Sequence, residues 1–403
     1  STISRVTSDE HIARARVLDT DDLIAPARAR FELPPDVVYL NGNSLGPLPS
    51  GAAARVADTV RREWGIDLSR SWSQSWWMDA PGRIGDRIAP LIGARDGEVL
   101  VCDTTSVALA KLLGAALAAR PDRHVVVSTT DNFPSDLYAA AGAARLGGAA
   151  LRVADPADLE GVLSDDVAVC CMTQVDFRTG ALHDLAGITA AVHRHGALML
   201  WDLCHSAGVV PVGCDAHGVD LAVGCTYKYL HAGPGAPSFL YVRTELQEAL
   251  ENPIPGWLGH AEPFRFDREW TPAPGIRQFL TSSPPVVALA ALDAALDAFG
   301  GLSIDAVRAK SEALGRLFVD VVLDAAVPSL EVASPLEAAR RGSQVSLRHP
   351  RAPELVDAAA RSGVVGDLRP PELCRFGFGP LYLSHEDVVV AAGRIVEAAR
   401  SLE

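Results

Sequence analysis

Three lysines occur in the 403 residues, and one of them, Lys228, sits where an amine can react. It lies in Gly224-Cys225-Thr226-Tyr227-Lys228-Tyr229-Leu230-His231, after a hydrophobic strand-like run and before the turn Ala232-Gly233-Pro234-Gly235. Aromatic neighbours and a Gly/Pro turn can desolvate an amine and leave it nucleophilic. Lys111 and Lys310 fall instead in helical patterns, where the ammonium is expected to reach for solvent. The other 33 of the 36 basic residues are arginines, so positive charge alone did not require a lysine at 228. Capture of a carbonyl as a Schiff base does require one, because guanidinium is a poor nucleophile that stays protonated in proteins.

Twenty-six residues upstream, the apolar run Ala197-Leu198-Met199-Leu200-Trp201 ends in Asp202. The C-terminal end of a strand is where open α/β sheets place function. A carboxylate there can keep a buried heteroaromatic nitrogen protonated, turning the ring into an electron sink. The same Asp would also serve as a simple cap on the turn after its strand. Other segments add binding capacity. Cys102-Asp103-Thr104-Thr105-Ser106 leads from a strand into a helix, whose free N–H groups bind phosphate or merely accept an N-cap. Asp131-Asn132-Phe133-Pro134-Ser135-Asp136 repeats that geometry, with Pro134 in the first turn, Phe133 able to stack on a flat ring or pack in the core, and Ser135 within reach of a phosphate. Trp64, Trp72, Trp76, Trp77 and Trp257 form an aromatic group suited to an aromatic ligand, a subunit interface or core packing. Arg375, in Cys374-Arg375-Phe376-Gly377, suits a bidentate clamp on a carboxylate or a surface ion pair.

The elements that carry these residues alternate. Strands are expected at His124–Ser128, Ala149–Val153, Val167–Thr173, Ala197–Trp201, Leu221–Thr226 and Ser238–Val242, with helices over Ser106–Ala119, Ser135–Leu146 and Leu185–His195. The rhythm is that of an α/β fold, a mostly parallel sheet sandwiched by helices. After Ser283 it changes to a helix over Val286–Phe299, another over Leu302–Ala326, a strand at Gln344–Arg348 and a final helix from His385. The expected division is an N-terminal arm over 1–47 packing on or near a small domain, a large cofactor-binding domain over 48–283, and a smaller C-terminal α+β domain over 284–403.

A chain of this length, 48% hydrophobic, supports more than one core. The net charge of −14 argues against nucleic acid or anionic membrane as partner. Seven cysteines without Cys-x-x-Cys spacing suit reduced thiols and a cytoplasmic setting rather than a disulfide frame or a metal site. The apolar helix from Val286 is too short and too charged to span a bilayer, and no secretory signal is expected ahead of the fold.

Tyr39-Leu40-Asn41-Gly42-Asn43-Ser44-Leu45-Gly46-Pro47, Phe133-Pro134-Ser135-Asp136, Trp201-Asp202-Leu203-Cys204-His205-Ser206-Ala207-Gly208, Gly224–Pro237, Gly256-Trp257-Leu258-Gly259-His260 and the Arg375 strand resemble kynureninase in order and spacing. The resemblance spans nearly the whole chain, and Asp202-x-x-His205 is shared more widely among fold-type I pyridoxal phosphate enzymes. It implies a cytoplasmic homodimer with shared active sites that uses pyridoxal 5'-phosphate to cleave L-kynurenine to anthranilate and L-alanine, in tryptophan catabolism, NAD biosynthesis or secondary metabolism. It further implies that Lys228 holds the cofactor, Asp202 its ring nitrogen and Phe133 its ring face. Thr105, Ser106, Ser135, Tyr227 and a cross-subunit Trp257 would surround the phosphate, and Asp136, Thr173, His205 and Ser283 would complete the cofactor contacts. Tyr227 is the implied acid toward Cβ, Arg375 the clamp on the α-carboxylate, and Ser44, Trp72, Ser282 and Ser283 the remaining substrate contacts. Ala108 and His231 stand where the family pattern has Asn, and Ser282-Ser283 differ from its usual pairs, which leaves the preferred ring substitution open. A cysteine desulfurase or aminotransferase on the same fold is the nearest alternative, and a non-catalytic binding module a second one.

Overall fold

The computed structural model describes residues 2–403. Seven strands form the large sheet: β1 (Val99–Cys102), β2 (Val125–Thr129), β3 (Ala150–Ala154), β4 (Val167–Thr173), β5 (Leu198–Asp202), β6 (Leu221–Cys225) and β7 (Ser238–Val242). Their spatial order is β1-β7-β6-β5-β4-β2-β3. Every pairing from β3 through to β6 is parallel, and only β7 runs against both of its neighbours. Alternate side chains serve two separate cores. Met199 and Trp201 of β5 join the core that holds α2 (Ala80–Ile92), while Leu198 and Leu200 join the one built on α3 (Thr105–Ala118) and α4 (Pro134–Leu146). Apart from the edge strand β3, which is partly exposed, burial on both faces is why these strands read as apolar runs. The expected strands and helices of this region form within one or two residues of their expected ends, α5 (Leu185–Arg194) included.

The C-terminal part carries a second sheet of β8 (Glu331–Val332), β9 (Gln344–Arg348), β10 (Asp367–Arg369) and β11 (Leu373–Gly377), antiparallel in the order β8-β9-β11-β10. Around it lie α6 (Val286–Ala295), α7 (Ile304–Asp324), α8 (Ala352–Arg361) and α9 (His385–Arg400); the expected helix over Val286–Phe299 gives way to a tighter turn from Leu296. Phe318 of α7 meets Phe376 and Phe378 at ring distances of 5.5 and 5.3 Å. Residues from the N-terminal arm pack on this sheet and its helices. Val38–Tyr39 pair with Val364–Val365, Asn41 bridges to Gly377, and Asp19 of α1 (Thr2–Thr20) accepts the His385 and Glu386 N–H groups at the start of α9.

Two expectations fail here. Lys111 and Lys310 do not reach for solvent: Lys111 is fully buried, with Nζ on Asp103 Oδ2 at 2.5 Å and on the Phe279 carbonyl at 2.8 Å, and Lys310 pairs with Asp22 at 2.7 Å. Each ammonium faces a carboxylate supplied from outside its own apolar stripe, a partner that helical periodicity does not reveal.

Candidate active site

Strand ends and loops from both halves of the chain converge on one cavity of about 430 Å³, within the range typical of small-molecule sites. It is lined by Ser44, Thr105, Ser106, Phe133, Ser135, Asp136, Thr173, Asp202, His205, Tyr227, Lys228 and Arg375, all twelve expected from the sequence. Asp202 ends β5 and Lys228 follows β6, the neighbouring parallel strand, so adjacent strands deliver both groups to the same rim. The Asn41–Pro47 segment is pressed onto the lysine loop: Gly46 N–H donates to the Tyr227 carbonyl at 2.8 Å. A Cβ at Gly46 would lie 2.4 Å from the Lys228 carbonyl oxygen, so only glycine fits.

Lys228 is half-buried, and its Nζ lies 3.0 Å from His205 Nε2. Burial first, then the charges of Lys228, Arg375 and Arg369, hold His205 well below the usual imidazole range, so it is neutral. Asp202 is 3% exposed and accepts the Cys204 N–H at 2.8 Å. Asp136 lies beside it; burial and then the Asp202 charge push its carboxyl well up, and its Oδ2 has no hydrogen-bond partner. Tyr227 is held above its ordinary phenol range by burial and then by Cys225 and Cys204, so it keeps its proton through neutral pH. Phe133 is 39% exposed at the cavity wall, edge-on to Phe177 at 5.0 Å, so it is not a core residue. Thr104 caps α3 with no side-chain bond, leaving the N–H groups of the first turn open at Thr105 and Ser106.

Arg375 is buried and held by Asp367 through Nε at 2.9 Å and Nη2 at 2.6 Å, while Nη1 donates to the Phe177 carbonyl at 2.7 Å. A second guanidinium lines the same cavity. Arg369 shares Asp367 at 3.1 Å, and its buried Nε has no partner. Sequence reasoning missed Arg369, Phe177 and Asn43; the alternation of β10 toward Arg375 was the available signal for the first.

Trp72, Trp257, Ser282 and Ser283 do not line this cavity. They lie near one another elsewhere: Trp72 meets Trp257 at 6.2 Å, and Gly256 backs directly onto the Thr281 carbonyl. Trp76 and Trp77 donate their indole N–H groups to the buried Glu63 at 3.0 and 2.7 Å, and Trp64 is exposed. All seven cysteines are free and buried. Cys374, which follows all the others in sequence, sits inside β11 with its thiol pushed up to about 12 by burial, unsuited to a mobile-loop nucleophile.

The same architecture is found in solved structures. A cysteine desulfurase CsdA from Escherichia coli aligns over 94% of this chain and 98% of its own with a TM-score of 0.77 at 19% identity. A C-DES mutant with glycine covalently linked to its PLP cofactor aligns over 92% and 99%, at 0.78 and 17%. At these identities the likeness establishes the fold, which is that of the fold-type I pyridoxal phosphate enzymes. Sequence relatives are more specific. The model of the kynureninase C-terminal domain matches residues 307–395. Kynureninase from Deinococcus radiodurans is 45% identical over 97% of both chains, and that from Burkholderia pseudomallei 47% identical over 93% of this chain and 92% of its own. The chain belongs to the kynureninase family.

Among the described residues, no helix is long and apolar enough to cross a membrane.

Proposed function

We propose that this chain hydrolyses the Cβ–Cγ bond of L-kynurenine, or of a ring-substituted form of it, to L-alanine and anthranilate or its derivative. The observation that carries the assignment is one cavity holding Lys228, Asp202 and the two arginines Arg369 and Arg375, in a chain of the kynureninase family.

The cofactor is pyridoxal 5'-phosphate, and the donor set fits it. The uncapped start of α3, with Thr105, Ser106 and Ser135, would hold the phosphate, and Phe133 would lie against the ring. The orphaned Asp136 Oδ2 and the buried Asp202 offer acceptors for a ring N–H. When bound, the cofactor supplies an electron sink for charge at Cα and makes the carbon pair released from Cγ a stable leaving group. The protein handles the protons. Lys228 Nζ takes the proton from Cα, Asp202 keeps the ring nitrogen protonated, and the Tyr227 hydroxyl, which burial keeps protonated, delivers a proton to Cβ. Arg375, with Arg369 beside it on Asp367, holds the α-carboxylate.

The proposed assembly is a cytoplasmic homodimer in which Trp72, Trp257, Ser282 and Ser283 complete the neighbour's site. Their absence from the cavity of their own chain, and their proximity to one another, support that arrangement. The arm, large domain and small domain are assigned to 1–47, 48–283 and 284–403, since the seven-stranded sheet lies within the second range and the four-stranded sheet within the third.

The test is turnover of kynurenine by the purified protein and by Lys228→Ala. The native protein should be yellow, absorbing at about 420 nm as expected of a lysine-bound cofactor, and the variant should be inactive. A native protein that releases no alanine from kynurenine would refute the activity, and a colourless one that still releases it would refute Lys228 as the cofactor anchor.

A further inference from the structure

A buried polar chain runs through the back of the cavity, from Lys228 to His205 to Gln344 to Asn43, joining four segments far apart in sequence. Lys228 Nζ lies 3.0 Å from His205 Nε2, His205 Nδ1 lies 3.0 Å from Gln344 Oε1, and Asn43 Nδ2 donates to the same oxygen at 3.3 Å. Gln344 is 1% exposed and His205 5%. Gln344 stands on β9 in the small domain, outside every motif that marks the site in the sequence.

Two backbone carbonyls fix which way the Gln344 amide points. Its Nε2 donates to the carbonyls of Asp176 and Phe177 at 3.4 and 3.3 Å, while its Oε1 receives the Asn43 amide. A flipped amide would set its oxygen against two carbonyl oxygens and lose both bonds, whereas the Asn43 amide, whose Oδ1 has no partner, can turn to suit either face. The oxygen therefore faces His205. An oxygen there demands a proton on Nδ1, so Nε2 of the neutral ring carries a lone pair. Gly180 leaves the glutamine little freedom to move, since a Cβ at that position would come within 2.7 Å of Gln344 Cγ.

We propose that Gln344 is a positioning residue that fixes His205 as its Nδ1–H tautomer, so that Nε2 accepts an N–H from Lys228 and aims the amine's lone pair away from the histidine. The inference rests on the role assigned above to Lys228. It explains a buried histidine that cannot itself serve as a base: burial, Lys228, Arg375 and Arg369 all oppose its protonation. The imidazole works as an acceptor of fixed direction, and the glutamine sets that direction from the small domain.

The direct experiment is nitrogen NMR of the holoenzyme labelled with ¹⁵N-histidine, with His205 assigned from a His205→Asn sample. The expected spectrum shows Nδ1 protonated and Nε2 unprotonated. Gln344→Leu should lose this preference and lower kcat about tenfold with KM within about twofold, as loss of one orienting hydrogen bond predicts. Gln344→Glu, protonated so that its O–H replaces the donor to the Asp176 and Phe177 carbonyls, keeps an oxygen against Nδ1 and should restore the tautomer. An Nε2–H tautomer in the native enzyme overturns the proposal, as does a Gln344→Leu enzyme with native tautomer and native kcat. Native turnover tests the assignment of the site separately, so a wrong tautomer in an active enzyme refutes this inference alone.

Discussion

Lys111 offers the sharpest test of how the cofactor platform is built. Its ammonium is fully buried and meets Asp103 Oδ2 at 2.5 Å and the Phe279 carbonyl at 2.8 Å, and Asp103 stands just before the first turn of α3. Replacing it by methionine keeps the volume and deletes the charge. Removing one partner of a buried pair costs about 3–5 kcal/mol, and the Asp103 side chain, 24% exposed, can recover some hydration, so about 3 kcal/mol applies. The stranded Phe279 carbonyl adds about 1 kcal/mol. Urea denaturation of the cofactor-free protein, followed by tryptophan fluorescence and circular dichroism together, measures the loss. Lys111→Met combined with Asp103→Asn should recover about 2 kcal/mol, since the charge left unpaired is then gone and Asn tolerates the left-handed backbone at 103, where φ is +51°. The single variant should also bind pyridoxal phosphate at least about tenfold more weakly, because an uncompensated carboxylate then stands beside the helix start proposed to hold the phosphate. A loss below about 1 kcal/mol, or strict additivity of the two substitutions, would show that this pair does not support the platform.

Two further expectations concern charge. Arg375→Lys keeps the cation but loses the fork held by Asp367, so KM for kynurenine should rise about tenfold or more with kcat within about threefold; an unchanged KM removes the carboxylate-clamp role. Glu63 is held below the usual carboxylate range because, against the opposing effect of burial, the bonds from Trp77, Trp76 and Arg55 prevail. A lowered folded-state value means that its stabilisation is complete above the unfolded value of about 4.3 and is lost as pH falls through the folded one. Glu63→Gln should thus cost stability at pH 7 and progressively less below about pH 4.3, and a pH-independent difference would contradict the assignment.

Legibility followed chemistry and periodicity. The large sheet could be read because strands buried on both faces leave apolar runs that little else produces, and Asp202 and Lys228 could be read because each directly follows such a run. Arg375 was visible as a charge inside an apolar strand, whereas Arg369 and Gln344 carry no such contrast within their own segments. The two misjudged lysines show the opposite failure: a helical pattern reports the apolar stripe and stays silent about carboxylates such as Asp103 and Asp22 that arrive from elsewhere. Trp72, Trp257, Ser282 and Ser283 mark a third limit, because no folding of one chain can bring into its cavity what a second copy is proposed to supply.

The distribution of charge ties these points together. A chain of net charge −14 would repel an anionic substrate and an anionic cofactor alike if its charges were evenly spread. Three of its 36 basic residues nonetheless meet in one place: Lys228, Arg369 and Arg375 line one cavity, with Asp367 shared between the two arginines. One carboxylate cannot neutralise two guanidinium groups, so a positive excess remains at the end proposed to hold the substrate carboxylate. At the other end, Asp136 is pushed toward its neutral form by burial and by Asp202, which leaves a single effective anion for a ring nitrogen. An excess cation for the substrate and one anion for the cofactor ring are what cleavage of an α-amino acid on pyridoxal phosphate demands, and both follow from how few charges the cavity admits.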